Sequence, residues 1–315
     1  MIKNIKRIPT LNMSREEWLA ERRRSIGGSD AAAVIGSSKW ASPYSVWAEK
    51  RGIIAEKEEN EAMRQGRDLE EYVARRFCEA TGKKVRRENA ILINPRYPFA
   101  HAMVDRMVVG ESAGLECKTT SSLNVKRFRD VEFPEDYYEQ CVHYMAVTGA
   151  DAWYLAVVVL GREFHWYRLE RDQAEIDALM GAEEHFWGYV ERGEEPPVDG
   201  SFATADALDD QYPGDDGNEI DLSPYEYDIE LYAEIGDQIA DLKRRRERIA
   251  NEIKSYMQEN GYGRARNASV SWAAHMRESI DTFNLRQDYP QIAEKYTKKT
   301  MVRTFKINYK GDSDR

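Results

Sequence analysis

The sequence predicts an α/β fold in which a mixed central sheet is flanked by helices. The first observation is a near-continuous apolar run from Ala152 to Leu160, which is typical of a strand buried on both faces. The second is the presence of two segments, at about 61–78 and 172–192, in which apolar residues recur at the spacing of an amphipathic helix. The third is the order of the elements, which is helix, three strands, helix, two strands and helix. This order favours a sheet covered by helices.

The helix before the sheet carries one candidate site residue. Its apolar side chains recur at helical spacing, at Met63, Leu69, Val73 and Phe77. Glu70 lies at the edge of this apolar stripe, so its carboxylate can reach the sheet. A plain surface glutamate is the alternative.

The three strands that follow, at about 89–94, 98–109 and 113–119, carry the most informative residues. Gly110 and Gly114 bracket the predicted turn between the second and third strands. Asp105 lies on the second strand. Glu116 and Lys118 on the third strand point the same way, because side chains alternate along a strand. Two carboxylates and one ammonium group are therefore expected to meet at one place on the sheet.

Such a cluster suits metal-dependent cleavage of a phosphodiester. Mg²⁺ prefers carboxylate oxygens together with water and phosphate oxygens, and a lysine beside it can orient a water or stabilise phosphate charge. Taken alone, a Glu-x-Lys pattern in a chain that is 32% charged is more often a solvated charge pair.

The next elements complete the core. A helix begins after Pro134 and ends at Gly149, and Gln140 and Tyr144 share one of its faces because they are four residues apart. A strand follows the apolar run at about 164–169. The helix at 172–192 is closed by Gly193.

A glycine pair near the N-terminus offers a phosphate site. Gly27 and Gly28 allow the backbone to approach a ligand, Ser29 and Asp30 can cap the apolar helix that follows, and Arg22 lies upstream. A helix start with free N–H groups binds anions. An ordinary turn with a serine cap is the alternative.

Charge and composition narrow the class of protein. Residues 193–242 contain sixteen Asp or Glu and no Lys or Arg, so the net charge of −10 leaves about +6 for the rest. A positive DNA-binding surface on the body is thus compatible with the overall charge. No apolar run approaches 18 residues and the start lacks a signal core, so we expect a cytoplasmic protein without a membrane span. Three widely spaced cysteines exclude a four-cysteine cluster.

The chain divides into three predicted parts. Residues 1–195 form the core, 196–223 form an acidic linker, and 224–315 form an extension. The extension begins with a long amphipathic helix at about 224–259. Short strands are expected in its basic tail, at about 268–273 and 301–307. Packing in the core is expected for Trp40 and Tyr44, with stacking near DNA as the alternative. His101 is expected to be structural, with a position near the metal as the alternative.

Together, these motifs resemble the YqaJ-type viral recombinases of the PD-(D/E)XK nuclease superfamily, relatives of the phage lambda exonuclease. The matching residues are Gly66, Glu70, Asp105, Glu116-Cys117-Lys118, Gln140 and Tyr144. Val104 stands where the superfamily pattern has proline. The glycine pair, with Trp18 and Arg22 before it, resembles the opening motif of this family.

The resemblance implies a restriction-endonuclease-like core with a defined set of site residues. Glu70, Asp105, Glu116 and the Cys117 carbonyl would bind Mg²⁺ or Mn²⁺. Lys118 would be catalytic, with Gln140 and Tyr144 orienting it and the scissile strand. Arg22 and Ser29, with the backbone of Gly27 and Gly28, would hold a terminal 5′ phosphate.

The implied function is 5′→3′ degradation of one strand at double-stranded DNA ends. This reaction leaves a 3′ overhang for a single-strand annealing protein of a phage or prophage. The family also implies a homo-oligomeric ring, often a trimer. An endonuclease of the same superfamily and a non-catalytic DNA-binding scaffold remain alternatives. Cleavage of closed circular DNA would identify the first, and the complete set of three acidic residues and one lysine argues against the second.

Overall fold

The computed structural model describes residues 4–55 and 60–308, and the chain forms two compact units, Met1–Tyr212 and Pro213–Arg315. The strands of the first unit are β1 (Lys6–Pro9), β2 (Ile26–Gly27), β3 (Val85–Arg87), β4 (Ala90–Ile93), β5 (Ala100–His101), β6 (Arg106–Val108), β7 (Ala113–Thr120), β8 (Ala152–Val159) and β9 (Glu163–Glu170). Its α-helices are α1 (Arg15–Arg23), α2 (Gly28–Val34), α3 (Pro43–Lys50), α4 (Glu61–Thr81), α5 (Tyr138–Thr148), α6 (Gln173–Arg192) and α7 (Phe202–Gln211). Short 3₁₀ turns span Ser122–Phe128 and Glu135–Tyr137.

The predicted mixed sheet is confirmed. Its strand order is β3-β6-β7-β8-β9, in which β7 and β8 are parallel and the other neighbours are antiparallel. Strand β8 is buried along its whole length, as its apolar run predicts. Its alternating side chains pack against α4 on one face of the sheet, and against α5 and the 3₁₀ turn at Ser122–Phe128 on the other.

The prediction of one continuous strand at 98–109 is wrong. The structure divides it into β5, which pairs with β2, and β6, which pairs with β7. The strand predicted at 89–94 also lies outside the main sheet, because β4 pairs with β1. These strands are too short for residue alternation to reveal where one ends.

Gly114 has a different role from the predicted turn. It lies inside β7, where a Cβ atom would overlap the ring of Trp153 on the neighbouring strand. Gly110 does occupy the turn, with a φ of 81° that favours glycine. Strands β6 and β7 pair only at Arg106 with Leu115 and at Met107 with Gly114. Beyond Leu115 they separate, which leaves a gap at the sheet edge beside Cys117.

The predicted acidic linker at 196–223 contains a helix, so the unit boundary lies at 212 rather than at 195. Helix α7 packs against α3, where Thr204 Oγ1 donates to Ser42 Oγ at 2.8 Å. The hydroxyl of Tyr44 donates to Gln211 Oε1 at 2.8 Å. Ala203 and Ala207 are buried with Thr204. These few small side chains hold the helix in place, within a segment whose glycines, prolines and aspartates predicted a loop.

The second unit is built around one long helix. It contains a 3₁₀ turn at Ser223–Tyr225, α8 (Glu226–Met257), the antiparallel pair β10 (Tyr262–Arg264) and β11 (Ser269–Ser271), α9 (Thr282–Asp288) and α10 (Pro290–Tyr296). The strand predicted at 301–307 is not formed. In the described part of the chain, no helix has the length and apolar character needed to cross a membrane.

Candidate active site

Asp105 lies immediately before β6, at the gap in the sheet edge. Its Oδ2 atom accepts the backbone N–H of Cys117 at 2.8 Å. Burial raises its pKa well above the usual value, and the negative charges of Glu116 and Glu70 raise it further. The carboxyl group therefore lies where negative charge is already crowded, which is the environment that a cation relieves.

Glu116 and Lys118 share one face of β7, as predicted. Lys118 Nζ lies 2.6 Å from Glu116 Oε1, and the amide of Gln140 donates to the same oxygen at 2.9 Å. Glu116 is only 3% exposed. Its other oxygen, Oε2, is buried without a hydrogen-bond partner among the residues that the structure describes. Such an oxygen can accept a hydrogen bond from water or bind a cation.

The surroundings of Lys118 keep it positively charged. Burial lowers its pKa, but the charges of Glu116 and Asp105 outweigh burial and raise the pKa above its ordinary value. Its ammonium group also lies 5.4 Å from the centre of the Tyr137 ring, a contact that the sequence did not predict. Lys118 is thus held between a carboxylate and an aromatic face.

Glu70 approaches the same region from α4. It forms an ion pair with Arg106, whose guanidinium also donates to the backbone oxygen of Asp105 at 2.7 Å. Arg106 is buried, and it contacts Glu71 at 3.0 Å as well. Sequence reasoning missed Arg106, because an arginine in a short strand carries no sign of which carboxylates surround it.

The backbone of Cys117 faces the same gap. The N–H and C=O groups of one strand residue point toward the same neighbour. Because the N–H of Cys117 donates to Asp105, its carbonyl is directed to the side where Asp105 lies. This direction agrees with the predicted use of that carbonyl as a metal ligand.

Helix α5 supports Glu116 from the face of the sheet opposite to α4. Gln140 donates to Glu116 Oε1 and to the hydroxyl of Tyr144, the latter at 2.8 Å. Gln140 therefore reaches Lys118 through the Glu116 oxygen that both side chains contact. The Tyr144 ring lies so close to Gly28 that a Cβ atom there would be 2.5 Å from Tyr144 Cε1. Position 28 therefore has to be a glycine as long as the Tyr144 ring stays where it is.

A pocket of about 450 Å³, called pocket A below, brings the two predicted groups together. Both the proposed phosphate-binding residues and three of the proposed catalytic residues line it: Arg22, Gly27, Gly28, Ser29, Glu70, Asp105 and Tyr144. Glu116, Lys118 and Gln140 are not among its lining residues. These three side chains contact one another, because both Lys118 and Gln140 lie against Glu116 Oε1.

Of the two predicted capping residues, Asp30 caps the start of α2, because its carboxylate accepts the N–H of Gly27 at 3.0 Å. Ser29 is exposed at the mouth of the helix. Burial raises the pKa of Asp30, but Lys50 at 2.6 Å and Arg22 at 3.8 Å outweigh it and hold that pKa far below its usual value. Asp30 therefore anchors Arg22 beside the glycines.

His101 is buried behind pocket A. Its Nδ1 atom lies 2.8 Å from Ser25 Oγ, and its carbonyl accepts from His143 Nε2 at 2.8 Å. Burial, together with the charge of Lys50, lowers its pKa to about 3, so the ring is neutral. His143 also contacts Glu183 at 2.8 Å, and both are fully buried. This pair was not predicted, because its members lie on separate helices, 40 residues apart.

The donor set fits a divalent cation, although the carboxylates do not form a ready-made cage. Across residues 4–55 and 60–308, no three His, Cys, Asp or Glu side chains are grouped closely enough to hold a metal ion. The reason is visible in the ion pairs, because Glu70 is drawn to Arg106 and Glu116 to Lys118. The buried Glu116 Oε2 and the crowded charge on Asp105 nevertheless suit Mg²⁺ or Mn²⁺.

Comparison with known proteins decides the family. A profile of the YqaJ-like viral recombinase domain matches residues 17–151. The protein named "Uncharacterized protein YqaJ" from Bacillus subtilis (strain 168) is 42% identical over 301 residues, which cover 94% of each chain. The chain belongs to the YqaJ-like viral recombinase family. This membership confirms the resemblance drawn from the motifs, and it implies a nuclease that acts on DNA.

Two solved structures are similar to part of this family member, and the one with a TM-score of 0.50 shows a shared fold. Two crystal structures of LHK-Exo, an alkaline exonuclease from Laribacter hongkongensis, are 22% identical to it, and one of them is a complex with dAMP. Each match covers 56% of this chain and 93% of the other, with TM-scores of 0.49 and 0.50.

Proposed function

We propose that this chain is a Mg²⁺- or Mn²⁺-dependent exonuclease that degrades one strand of linear duplex DNA from its 5′ end. The observation that carries the proposal is pocket A, in which Arg22 and the Gly27–Ser29 segment lie beside Asp105 and Glu70. A site for a terminal phosphate next to the cleavage site favours an enzyme that starts at ends. The product would be a 3′ overhang suited to a single-strand annealing protein.

Four groups would hold the cation. They are the carboxylates of Asp105, Glu116 and Glu70 and the carbonyl oxygen of Cys117. A bound Mg²⁺ or Mn²⁺ supplies a water of lowered pKa and neutralises charge on the phosphate. What supports this set is the crowding of negative charge at Asp105 and the buried Glu116 Oε2 that lacks a hydrogen-bond partner in the described chain.

The side chains of the protein position the reacting groups. The ammonium of Lys118 orients the attacking water and stabilises the charge that develops on the phosphate. Gln140 fixes the Glu116 carboxylate by donating to Oε1, so that Oε2 stays available. Tyr144 accepts from Gln140 and fixes its amide in turn. Removing any side chain from this series of hydrogen bonds is expected to loosen the position of the next side chain.

One assay separates this proposal from its alternatives. Linear duplex DNA that is end-labelled, with a 5′ phosphate or a 5′ hydroxyl, is incubated with Mg²⁺ beside a covalently closed circle. We expect stepwise release of nucleotides from the 5′-phosphorylated strand and no cleavage of the circle. Cutting of the circle would identify an endonuclease, and loss of neither substrate would identify a non-catalytic scaffold.

Replacing Arg22 by alanine is expected to remove the preference for 5′-phosphorylated ends. A charge-assisted hydrogen bond contributes about 1.5–3 kcal/mol, so the rate ratio between phosphorylated and hydroxyl ends should fall by about tenfold or more. Arg15 is the matched control, because it also lies over the Trp18 ring, at 4.6 Å, but does not line pocket A. An unchanged ratio for Arg22→Ala would remove the proposed phosphate site.

We also propose that the chain forms a homo-oligomer, as the ring-shaped relatives implied by the resemblance do. An exposed apolar stripe on α8 supports association. It consists of Tyr232, Ile235, Ile239, Leu242, Ile249 and Ile253. These positions alternate by three and four residues, apart from one skipped position at Arg246, which is the spacing of helices that pack on each other.

The charge pattern of α8 suits an antiparallel partner. Residues 226–241 carry six acidic and no basic side chains, whereas residues 242–257 carry six basic and two acidic ones. Two antiparallel copies therefore place opposite charges together. Light scattering should give a mass above one chain, and Leu242→Glu should lower it, whereas Asn251→Glu on the same helix should not. A monomeric wild type would contradict the proposal.

A further inference from the structure

A second pocket, called pocket B, lies on the other side of the carboxylate cluster from pocket A. Its volume is about 540 Å³, and its lining includes Trp40, Thr120, Asn124, Arg127 and Tyr137. Trp40 is 82% exposed, which contradicts the expectation that it packs in the core, whereas Tyr44 is buried as expected. A large aromatic ring left in water at the edge of a pocket offers a face for a planar ligand.

Three elements connect the two pockets through the active site. On α5, Tyr144 lines pocket A, Gln140 contacts Glu116, and Tyr138 lines pocket B. Tyr144 and Tyr138 are six residues apart, which corresponds to about 9 Å at the rise of an α-helix. The carboxylate cluster therefore lies between the pockets rather than beside them.

The other two elements give the same order. On β7, Thr120 of pocket B lies two residues beyond Lys118, on the same face. Helix α2 begins at pocket A with Gly28 and reaches pocket B with Ala32. A DNA strand with its 5′ end in pocket A and its scissile phosphate at the carboxylates would therefore continue into pocket B.

The lining of pocket B suits a nucleobase better than a phosphate. It contains two cations, Lys39 and Arg127, against three carboxylates, Glu135, Asp136 and Glu139. Both cations are close to Asp136, because Arg127 forms an ion pair with it and Lys39 lies 4.0 Å away. Little positive charge is left for a phosphate, whereas the aromatic faces remain.

Tyr137 links pocket B to the catalytic lysine. The ammonium nitrogen of Lys118 lies 5.4 Å from the centre of the Tyr137 ring. Tyr137 also lines pocket B. Asn124 donates to Thr120 Oγ1 at 2.8 Å, which holds its amide in the pocket wall. Aromatic faces beside an oriented amide are the groups that bind unstacked bases of single strands.

We propose that pocket B binds the base of the nucleotide directly beyond the scissile phosphate, stacked on Trp40. This assignment rests on the proposed exonuclease function for its direction along the strand. It makes Trp40 a residue that positions the strand rather than a catalytic residue. The base enters pocket B unpaired.

Binding without cleavage tests the pocket by itself. A 5′-phosphorylated single-stranded deoxyoligonucleotide is titrated into the full chain in EDTA, and tryptophan fluorescence is followed. Stacking on Trp40 should quench the wild type, and Trp40→Phe should lack that part of the quenching while retaining affinity. Equal quenching in the two proteins would overturn the proposal, whether or not the protein cleaves DNA.

Cleavage then tests the position of the base. The rate of release of the first nucleotide is compared for a normal duplex and for one that lacks the base of its second nucleotide. Base stacking on an aromatic side chain contributes about 1–3 kcal/mol, so the wild type should slow by about tenfold on the abasic duplex. Trp40→Ala should be slow on both substrates and insensitive to the missing base, and Trp40→Phe should behave like the wild type.

Two outcomes distinguish the failure of this proposal from failure of the proposed function. If Trp40→Ala loses as much rate as the wild type when the base is removed, the two effects are independent and pocket B does not hold that base. If the wild type releases no nucleotide but its Trp40 fluorescence is quenched by the oligonucleotide, pocket B stands and the exonuclease assignment falls.

Discussion

Replacing Lys118 by alanine is expected to lower the rate of DNA cleavage by about 10³-fold, because a positioned proton donor or charge-stabilising group contributes about 10²–10⁴-fold. The ammonium lies 2.6 Å from Glu116 and is the cation that faces the carboxylate cluster along β7. Single-turnover cleavage of the 5′-phosphorylated duplex measures the effect. DNA affinity, measured separately, should change far less than the rate.

Two further variants make the Lys118 result specific. Lys118→Arg retains the positive charge but changes its geometry, so it should restore stability without restoring the full rate. Lys83→Ala removes another lysine of the same sheet, which pairs with Glu111 at 2.7 Å away from the site, and should leave cleavage unchanged. Wild-type rates for Lys118→Ala would end the assigned role.

Replacing Gly28 by alanine is the second change for which we expect a large effect. The new Cβ atom would lie 2.5 Å from Tyr144 Cε1, so the tyrosine ring must move. The shift breaks the hydrogen bond from Gln140 to Tyr144 and loosens the amide that fixes Glu116. Overpacking of this kind costs about 1–3 kcal/mol of stability, and misplacement by about 1 Å can cost about 10²-fold in rate.

The Gly28 prediction needs a control for stability and one for the hydrogen bond. Gly181 in α6 has open space around its Cα, so Gly181→Ala should leave rate and melting temperature near wild type. Tyr144→Phe removes the hydroxyl but adds no clash, and should lower the rate with little change in melting temperature. A normal rate for Gly28→Ala would show that the position of the Tyr144 ring does not affect the active-site carboxylates.

The parts of the fold that follow from sequence are those with a strong local pattern. Strand β8 is predicted because eight consecutive side chains are buried, and α6 because its apolar stripe ends at a glycine with φ of 69°. Strands β5 and β6 are two and three residues long, and no alternation can be recognised over such lengths. Helix α7 depends on contacts with α3, which no local pattern contains.

The site follows the same division. Glu116 and Lys118 are predictable because alternation along one strand places them together. Asp105 and Glu70 are candidates from the strand and helix patterns, and the resemblance supports them as a set, since nothing local shows that a loop and a helix converge on that strand. Arg106, Tyr137 and the His143–Glu183 pair were missed, because each acts through a partner that is distant in the sequence. The exposure of Trp40 likewise depends on the surrounding loops.

The central claim is that Asp105, Glu116 and Glu70 form a divalent-cation site beside Lys118, and calorimetric titration with Mn²⁺ tests it most directly. The wild type should bind Mn²⁺ saturably, Lys118→Ala should retain binding, and Asp105→Asn should lose it while its circular dichroism stays native. Binding by Asp105→Asn with wild-type affinity, or no saturable binding by the wild type, would contradict the account.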